Sequence, residues 1–519
     1  MVPFFGNISC ARRPHLQIIV AVLGLLLPTA VSSSCSATAG PLAQHHLMTA
    51  PPRLAVLIVA ATALVAFGPA THTTEEPLPS RAAVHAAVAA GARAASASLR
   101  PAPEVEGGGL VAKCDYHLLR GQWYDYERLW HTAQTALALV SASSLLDDDD
   151  DGQGSQLLQD ATAAGRWWKA QQIKAPPTLA GLMNSTDVLP RSLGCITDAC
   201  NGTEDLGDVS DGAYGVFALS AATGDSSFAD AAVASARWQL QHMAVAGQPG
   251  LYWNIVNKSA VPPAPLTAIA QPYRTQIEGS LFLQAYRHAG DARLRAGFVA
   301  QADATIAHQD QHGLWMEWTP NDNATGYLHL RYNLWYAHSL MDAFNLTKNE
   351  SYLDGALRTA SFYSSRVQRS DGTMYYKTNV NGSAVENDLC GSAVGFFLQL
   401  TLRLLQTPAV LAQQPAEVLD ALRLSTTRSV SWLLANQYPT DHPDPNLAGA
   451  FLELDFRHKA FYLGPHSRAV VHRDLGTSFA IPALVAFDNF CAQGDSDEAA
   501  RVCGDGWRAY TSRGRAAPF

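Results

Sequence analysis

The chain has 519 residues, of which 48% are hydrophobic and 16% charged, so a disordered body is excluded and a large core can form. Lys and Arg number 36 against 45 Asp and Glu, a formal net charge of −9. That balance offers no basic footprint, and nucleic acid is excluded as a partner.

Residues 1–70 read as signal or anchor segments. Ile18–Val31 follows Arg12 and Arg13 and precedes Ala37-Thr38-Ala39, the layout of a secretory signal. Leu54–Ala70 follows Met48 and Arg53 and is seventeen residues long. It is either a second signal, with Met48 as the true start, or a short uncleaved anchor. Each version sends the chain into the secretory route, so a secreted protein is expected, membrane-held only through Leu54–Ala70. Eight of the sixteen asparagines stand in Asn-x-Ser/Thr: Asn7, Asn184, Asn201, Asn257, Asn323, Asn345, Asn349 and Asn381. Six cysteines follow the signal region, an even number that favours disulfides in an oxidising compartment. No C-x-x-C or His-rich ligand spacing occurs, and neither a metal nor a cofactor is expected. Cys195–Cys200 and Cys491–Cys503 are expected as local loops, leaving Cys114–Cys390.

Residues 71–113 are rich in Ala, Pro and Gly. Ala82–Leu99 has helical composition, but Gly107–Gly109 and the nearby prolines mark a linker. From Cys114 the pattern is helical. Trp123–Leu146 carries apolar residues at helical spacing and stops at the acidic run Asp147–Asp151, read as a solvated loop rather than a cation site. Leu157–Gln172 follows. Gly215–Ala222 breaks at Thr223-Gly224-Asp225 and resumes at Phe228–Met243; Ile277–His288 breaks at Ala289-Gly290-Asp291 and resumes at Leu294–His308. Leu334–Phe344 and Tyr352–Val367 flank Asn345–Asn349. Glycine accepts the left-handed C-cap in the first two breaks, and Asp or Asn caps each following helix. Gly391–Leu405, Ala416–Gln437 and Leu475–Phe490 complete the series. Paired helices in this number predict an all-α domain over 114–490, a closed (α/α)6 toroid. An open α-solenoid is the alternative, disfavoured by unequal loops on one side. Residues 491–519 are expected as a tail, and the protein as a monomer.

Those loops carry aromatic residues: Gly250–Trp253, Leu314–Trp318 and Tyr375-Tyr376. The same side brings Tyr273-Arg274, Arg331-Tyr332-Asn333, Glu386-Asn387-Asp388 and His472-Arg473-Asp474 just ahead of helices. Rings that stack on sugar C–H faces, beside charged acceptors for hydroxyls, point to carbohydrate. Core packing is the competing reading of each ring.

Gln122-Trp123-Tyr124-Asp125 with Leu129-Trp130-His131-Thr132-Ala133 is similar to the opening of glycoside hydrolase family 76, the endo-α-1,6-mannanase family. Gly250–Trp253 followed by Tyr273–Gln284 resembles that family's Gly-x-x-Trp and Tyr-Lys-Asn-x-Ile-x-Asn-x-Leu-Phe segments. Tyr332-Asn333, opening a helix that leads to Ser351–Asp354, resembles its Tyr-Asn-Gln-Gly helix. The resemblance implies a six-hairpin glycosidase acting on a polysaccharide, by a retaining mechanism with two adjacent aspartates before a helix. Here that stretch reads Gly207–Gly215: Asp211 falls on the second aspartate, and Ser210 occupies the first. Asp208, three residues before Asp211, is the remaining candidate nucleophile, since one helical turn brings such positions within ~5–6 Å and retaining enzymes need carboxyls ~5–5.5 Å apart. A plain helix cap is the other reading of either residue. Expected substrate-binding residues are Trp123, Tyr124, Trp130, Trp253, Tyr273, Arg274, Tyr332, Asn333, Asp388 and His472.

Two other functions fit the same barrel. A uronic-acid lyase would use a Tyr or His base with Arg or Asn from Tyr273-Arg274, Arg331-Tyr332-Asn333 and His472-Arg473, whereas an unsaturated-glucuronyl hydrolase would need one acid/base aspartate, Asp211. A non-catalytic glycan-binding protein would keep the groove without the nucleophile.

Overall fold

Helices pair along the whole described chain because apolar positions repeat at helical spacing and each pair is broken by a capping residue. The computed structural model describes residues 79–125, 127–146, 152–184, 203–265, 280–318, 320–455, 471–492, 497–504 and 507. The signal segments, the Asp147–Asp151 run, the Cys195–Cys200 pair, Tyr273 and Arg274 lie outside them.

Among the described residues, six helices form an inner set: α2 (Arg128–Leu146), α5 (Ala213–Thr223), α7 (Leu281–Ala289), α9 (Leu330–Thr347), α11 (Gly391–Leu405) and α14 (Leu475–Ala492). Their outer partners are α3 (Gln153–Ala170), α6 (Ser227–His242), α8 (Ala292–Ala307), α10 (Glu350–Phe362), α13 (Ala416–Ala435) and α1 (Arg81–Ala97). Packing passes from α2 to α5 and α7, through α8 to α9, then to α11 and α14, and from α14 back to α2. The last inner helix therefore closes on the first, which an open solenoid does not do. Inner helices are buried almost all round, as in α9, where every residue from Leu330 to Phe344 is buried. Leu475–Ala492 is long and apolar enough to cross a membrane by composition, yet 83% of it is buried in this ring.

The helix breaks have the expected chemistry. Gly224 and Gly290 are left-handed C-caps at φ 72° and 68°. Asp291 accepts from Arg293 N and Asn349 from Ser351 N as N-caps. Ring contact is tight at Gly215, where a Cβ would lie 1.9 Å from the Ala133 carbonyl oxygen of α2.

The stretch read as a linker supplies α1, the twelfth helix, which packs on α14 and α2 through Val84, Val88, Ala92 and Ala95. Gly107 and Gly108 turn a hairpin between β1 (Leu99–Ala102) and β2 (Gly109–Ala112). Small buried residues make α1 look like low-complexity sequence, which is why composition misplaced it. The tail begins in the same body. α15 (Asp497–Cys503) is held by the Cys491–Cys503 disulfide and by Glu498, which pairs with Arg423 of α13 at 2.5 Å. Cys390 is a buried thiol, so the expected Cys114–Cys390 bond is not formed.

Short strands of two to six residues precede the inner helices. β3 (Asp115–His117) and β4 (Gln122–Tyr124) come before α2, β5 (Thr203–Asp205) before α5, and β6 (Ile255–Asn257) and β7 (Ala264–Pro265) before α7. β8 (Tyr327–His329) leads into α9, β9 (Tyr375–Asn379) and β10 (Ala384–Leu389) into α11, and β11 (Leu454–Asp455) and β12 (Val471–Arg473) into α14. The N-terminal ends of the inner helices thus share one strand-bearing face.

Candidate functional site

β12 pairs antiparallel with β3, so Arg473 lies opposite Asp115 where the ring closes. Cross-strand neighbours of opposite charge meet directly. Arg473 Nε donates to Asp115 Oδ1 at 3.1 Å, and Arg473 is 1% exposed. Its Nη1 donates to Tyr376 Oη at 3.3 Å, and its Nη2 lies 3.3 Å from His131 Nε2 and 3.9 Å from Glu127 Oε2. Arg331, from the first turn of α9, donates through Nη2 to the same Tyr376 Oη at 2.9 Å. Its Nη1 is 3.6 Å from Glu453 Oε1, and its guanidinium sits 5.6 Å from the Trp130 ring centre. Burial works against both guanidinium charges. The nearby Asp115, Tyr376 and Glu453 outweigh it for Arg473, and Tyr376 and Glu453 do so for Arg331, so both stay above the ordinary arginine value.

His131 Nδ1 lies 2.6 Å from Asp474 Oδ1. A guanidinium only donates, so Nε2 is the acceptor toward Arg473, and Nδ1 carries the hydrogen shared with Asp474. His472, buried on β12, is pushed down to about 4 by burial first, with nearby Asp115 opposing. It meets Tyr438 edge-on at 5.5 Å.

Deeper in the ring is a second polar group. Asp342 of α9 accepts from Ser280 at 2.6 Å, from Arg403 at 2.6 Å and from Tyr214. His338 is driven down to about 3 by burial and then by Arg403. This group joins four inner helices and is saturated by its own members.

The sequence-derived residues divide clearly. The expected helical turn exists as α4 (Gly207–Asp211), so positions 208 and 211 are one turn apart just before α5. Asp211 is 3% exposed, and Ser210 is fully buried; the Asp208 side chain lies outside the described atoms. Trp123, Tyr124 and Trp253 are half-buried on or beside the strands of the shared face. Trp123 meets Tyr116 at 4.9 Å with the rings tilted, and donates to Asn446 Oδ1 at 2.9 Å.

Other expected ligand contacts are internal. Trp130 is core, with its indole N–H given to Glu127 at 2.9 Å. Asn333 is fully buried, donating to Asn321 and the His329 carbonyl and accepting from Trp315 N, so it anchors a loop and cannot face a ligand. Tyr332 is buried between His329 and Trp335. Asp388 and His472 are buried too. Trp315 and Trp318, expected on an aromatic rim, pack on Tyr336 in the core. Asp115, Glu127, His131 and Glu453 had no assigned role. Their only sequence signal is a charge set among apolar neighbours, as in Leu452-Glu453-Leu454.

No family model matches the chain, and no curated protein matches it. Among solved structures, an unsaturated glucuronyl hydrolase specific for heparin superposes with a TM-score of 0.50 at 11% identity, covering 79% of this chain and 96% of that one. Cellobiose 2-epimerase from Bacillus thermoamylovorans gives 0.50 at 12% identity, covering 73% and 92%. Identities this low show the fold alone. The chain shares with them the (α/α)6 toroid fold.

Proposed function

We propose that this chain is a secreted glycoside hydrolase acting on a cell-wall polysaccharide, α-1,6-mannan in the first instance, with Asp211 as acid/base. The observation that carries the reading is the placement of Asp211. It is a buried carboxyl on the turn before an inner helix, on the face where all six inner helices begin. In the retaining scheme, the Asp211 carboxyl gives its proton to the glycosidic oxygen while a carboxylate attacks the anomeric carbon. Asp211 then takes a proton from the water that releases the sugar. Asp208, one turn earlier, is the proposed nucleophile, because the fully buried Ser210 offers no carboxylate. Trp123, Tyr124 and Trp253, half-buried at that face, are the proposed stacking surfaces.

The uronate reading has support in the two guanidiniums at this face. Both are already neutralised, Arg473 by Asp115 at 3.1 Å and Arg331 by Glu453 at 3.6 Å, which favours a neutral sugar.

A product-release screen over α-1,6-mannan, pectic polymers and unsaturated uronides tests the assignment. Mannan oligosaccharides are the expected product. Release from uronides alone would overturn it, and binding without release would make the protein a glycan-binding one. Secretion has its own check. Asn323, Asn345, Asn349 and Asn381 are exposed, so enzymatic deglycosylation should lower the apparent mass by several glycans. An unchanged mass would contradict the secretory route.

A further inference from the structure

We propose that Cys114, His131 and Asp474 bind a divalent metal of the zinc type where the ring closes. One ligand atom from each of these buried residues lies within 4.8 Å of the other two. Tetrahedral zinc holds sulfur at ~2.3 Å and nitrogen or oxygen at ~2.0–2.2 Å, so small side-chain movements draw the three donors onto one ion. Thiolate, imidazole and carboxylate together select zinc over calcium or magnesium, which take oxygen alone.

A second observation points to a cation independently. Asp474 is 3% exposed, and among the described residues its Oδ2 has no hydrogen-bond partner, a costly state for a buried carboxylate oxygen.

Binding releases the Cys114 thiol proton to solvent. It also shifts the His131 ring hydrogen from Nδ1 to Nε2, which opens the 3.3 Å contact with Arg473. Arg473 keeps its bonds to Asp115 at 3.1 Å and Tyr376 at 3.3 Å. Cys114 immediately precedes β3, His131 is on α2, and Asp474 immediately precedes α14. The metal therefore fastens the first inner helix to the last. Spacing rules miss such a site because its ligands are spread from position 114 to position 474.

The test uses the full-length secreted protein and is independent of any glycan activity. Incubated with zinc and desalted, it should hold about one zinc per chain by elemental analysis, and a chelator should lower its melting temperature. Asp474→Asn should lose the metal and the chelator response while keeping its helical circular dichroism. Cobalt in place of zinc should give a thiolate charge-transfer band that is absent from Cys114→Ser. If neither variant folds, the cobalt spectrum of the unaltered protein decides. A folded protein that retains no metal, or cobalt bound without the thiolate band, would overturn the proposal.

Discussion

Asp488 shows how one buried carboxyl seats a helix that the nearby glycines and prolines had assigned to a linker. Its side chain on α14 is 1% exposed, takes both Nε and Nη2 of Arg81 at 2.8 and 2.9 Å, and lies 3.2 Å from His85. Burial would raise its pKa, but hydrogen bonds from His85 and Arg81 outweigh that and hold it below the ordinary value. A depressed carboxyl stabilises fully above its unfolded pKa of ~3.9, and that stability is lost as pH falls through the lower folded value. Asp488→Asn should cost about 2–4 kcal/mol at neutral pH, less than the ~3–5 of a fully buried pair because Arg81 is partly exposed. Urea denaturation at pH 7 and below pH 4 measures both effects. A variant as stable as the parent at pH 7 would refute the assignment. The charged pairs themselves are illegible in sequence. Asp115 and Arg473 meet across 358 positions, and nothing local to either residue names its partner. Asp211, by contrast, is a candidate that a resemblance can single out, because it stands in a short run of residues before a helix.

Long elements follow from sequence where period and caps agree. Gly391–Leu405 is found as expected, and the Gly-Asp breaks at 224–225 and 290–291 separate the expected pairs. Trp123–Leu146 is half wrong at its start, because residues 122–124 form β4 and the helix begins at Arg128. Strands of two to six residues are too short to show alternation, so the strands on the shared face could not be read in advance. The rings of Trp315 and Trp318 were misplaced for a related reason: a tryptophan at a loop–helix junction looks the same whether it faces solvent or core. The contact between α2 and α5 gives a sharp test. A methyl at position 215 would meet the Ala133 carbonyl at 1.9 Å, and backbone cannot yield as a side chain does. Gly215→Ala should destabilise by about 1–3 kcal/mol or more, read as a lowered denaturation midpoint. An unchanged midpoint would mean that the inner helices are more loosely packed.

The whole ring depends on its closure. α14 packs on α2, β12 pairs with β3, and α1 covers the outside of α14. The N-terminal helix is thus the outer member of the final hairpin, although it comes first in the chain. Deleting residues 79–98 should expose the apolar side of α14 and give an aggregating or non-cooperatively melting protein. A truncated chain that melts as sharply as the parent would show that α1 is dispensable. The (α/α)6 class and its closure were expected from helix pairing and the unequal loops, and the packing of α14 on α2 bears both out.

The central claim is that Asp211 is the acid/base of a glycosidase, and leaving-group dependence tests it most directly. Turnover of Asp211→Asn should be compared with that of the parent on α-1,6-mannan and on an activated aryl α-mannoside, with circular dichroism confirming the fold. The polysaccharide rate should fall about 10²–10⁴-fold, the usual worth of general acid catalysis, while the aryl substrate, whose leaving group needs no proton, should lose far less. A folded Asp211→Asn that cleaves mannan at the parent rate would contradict the account.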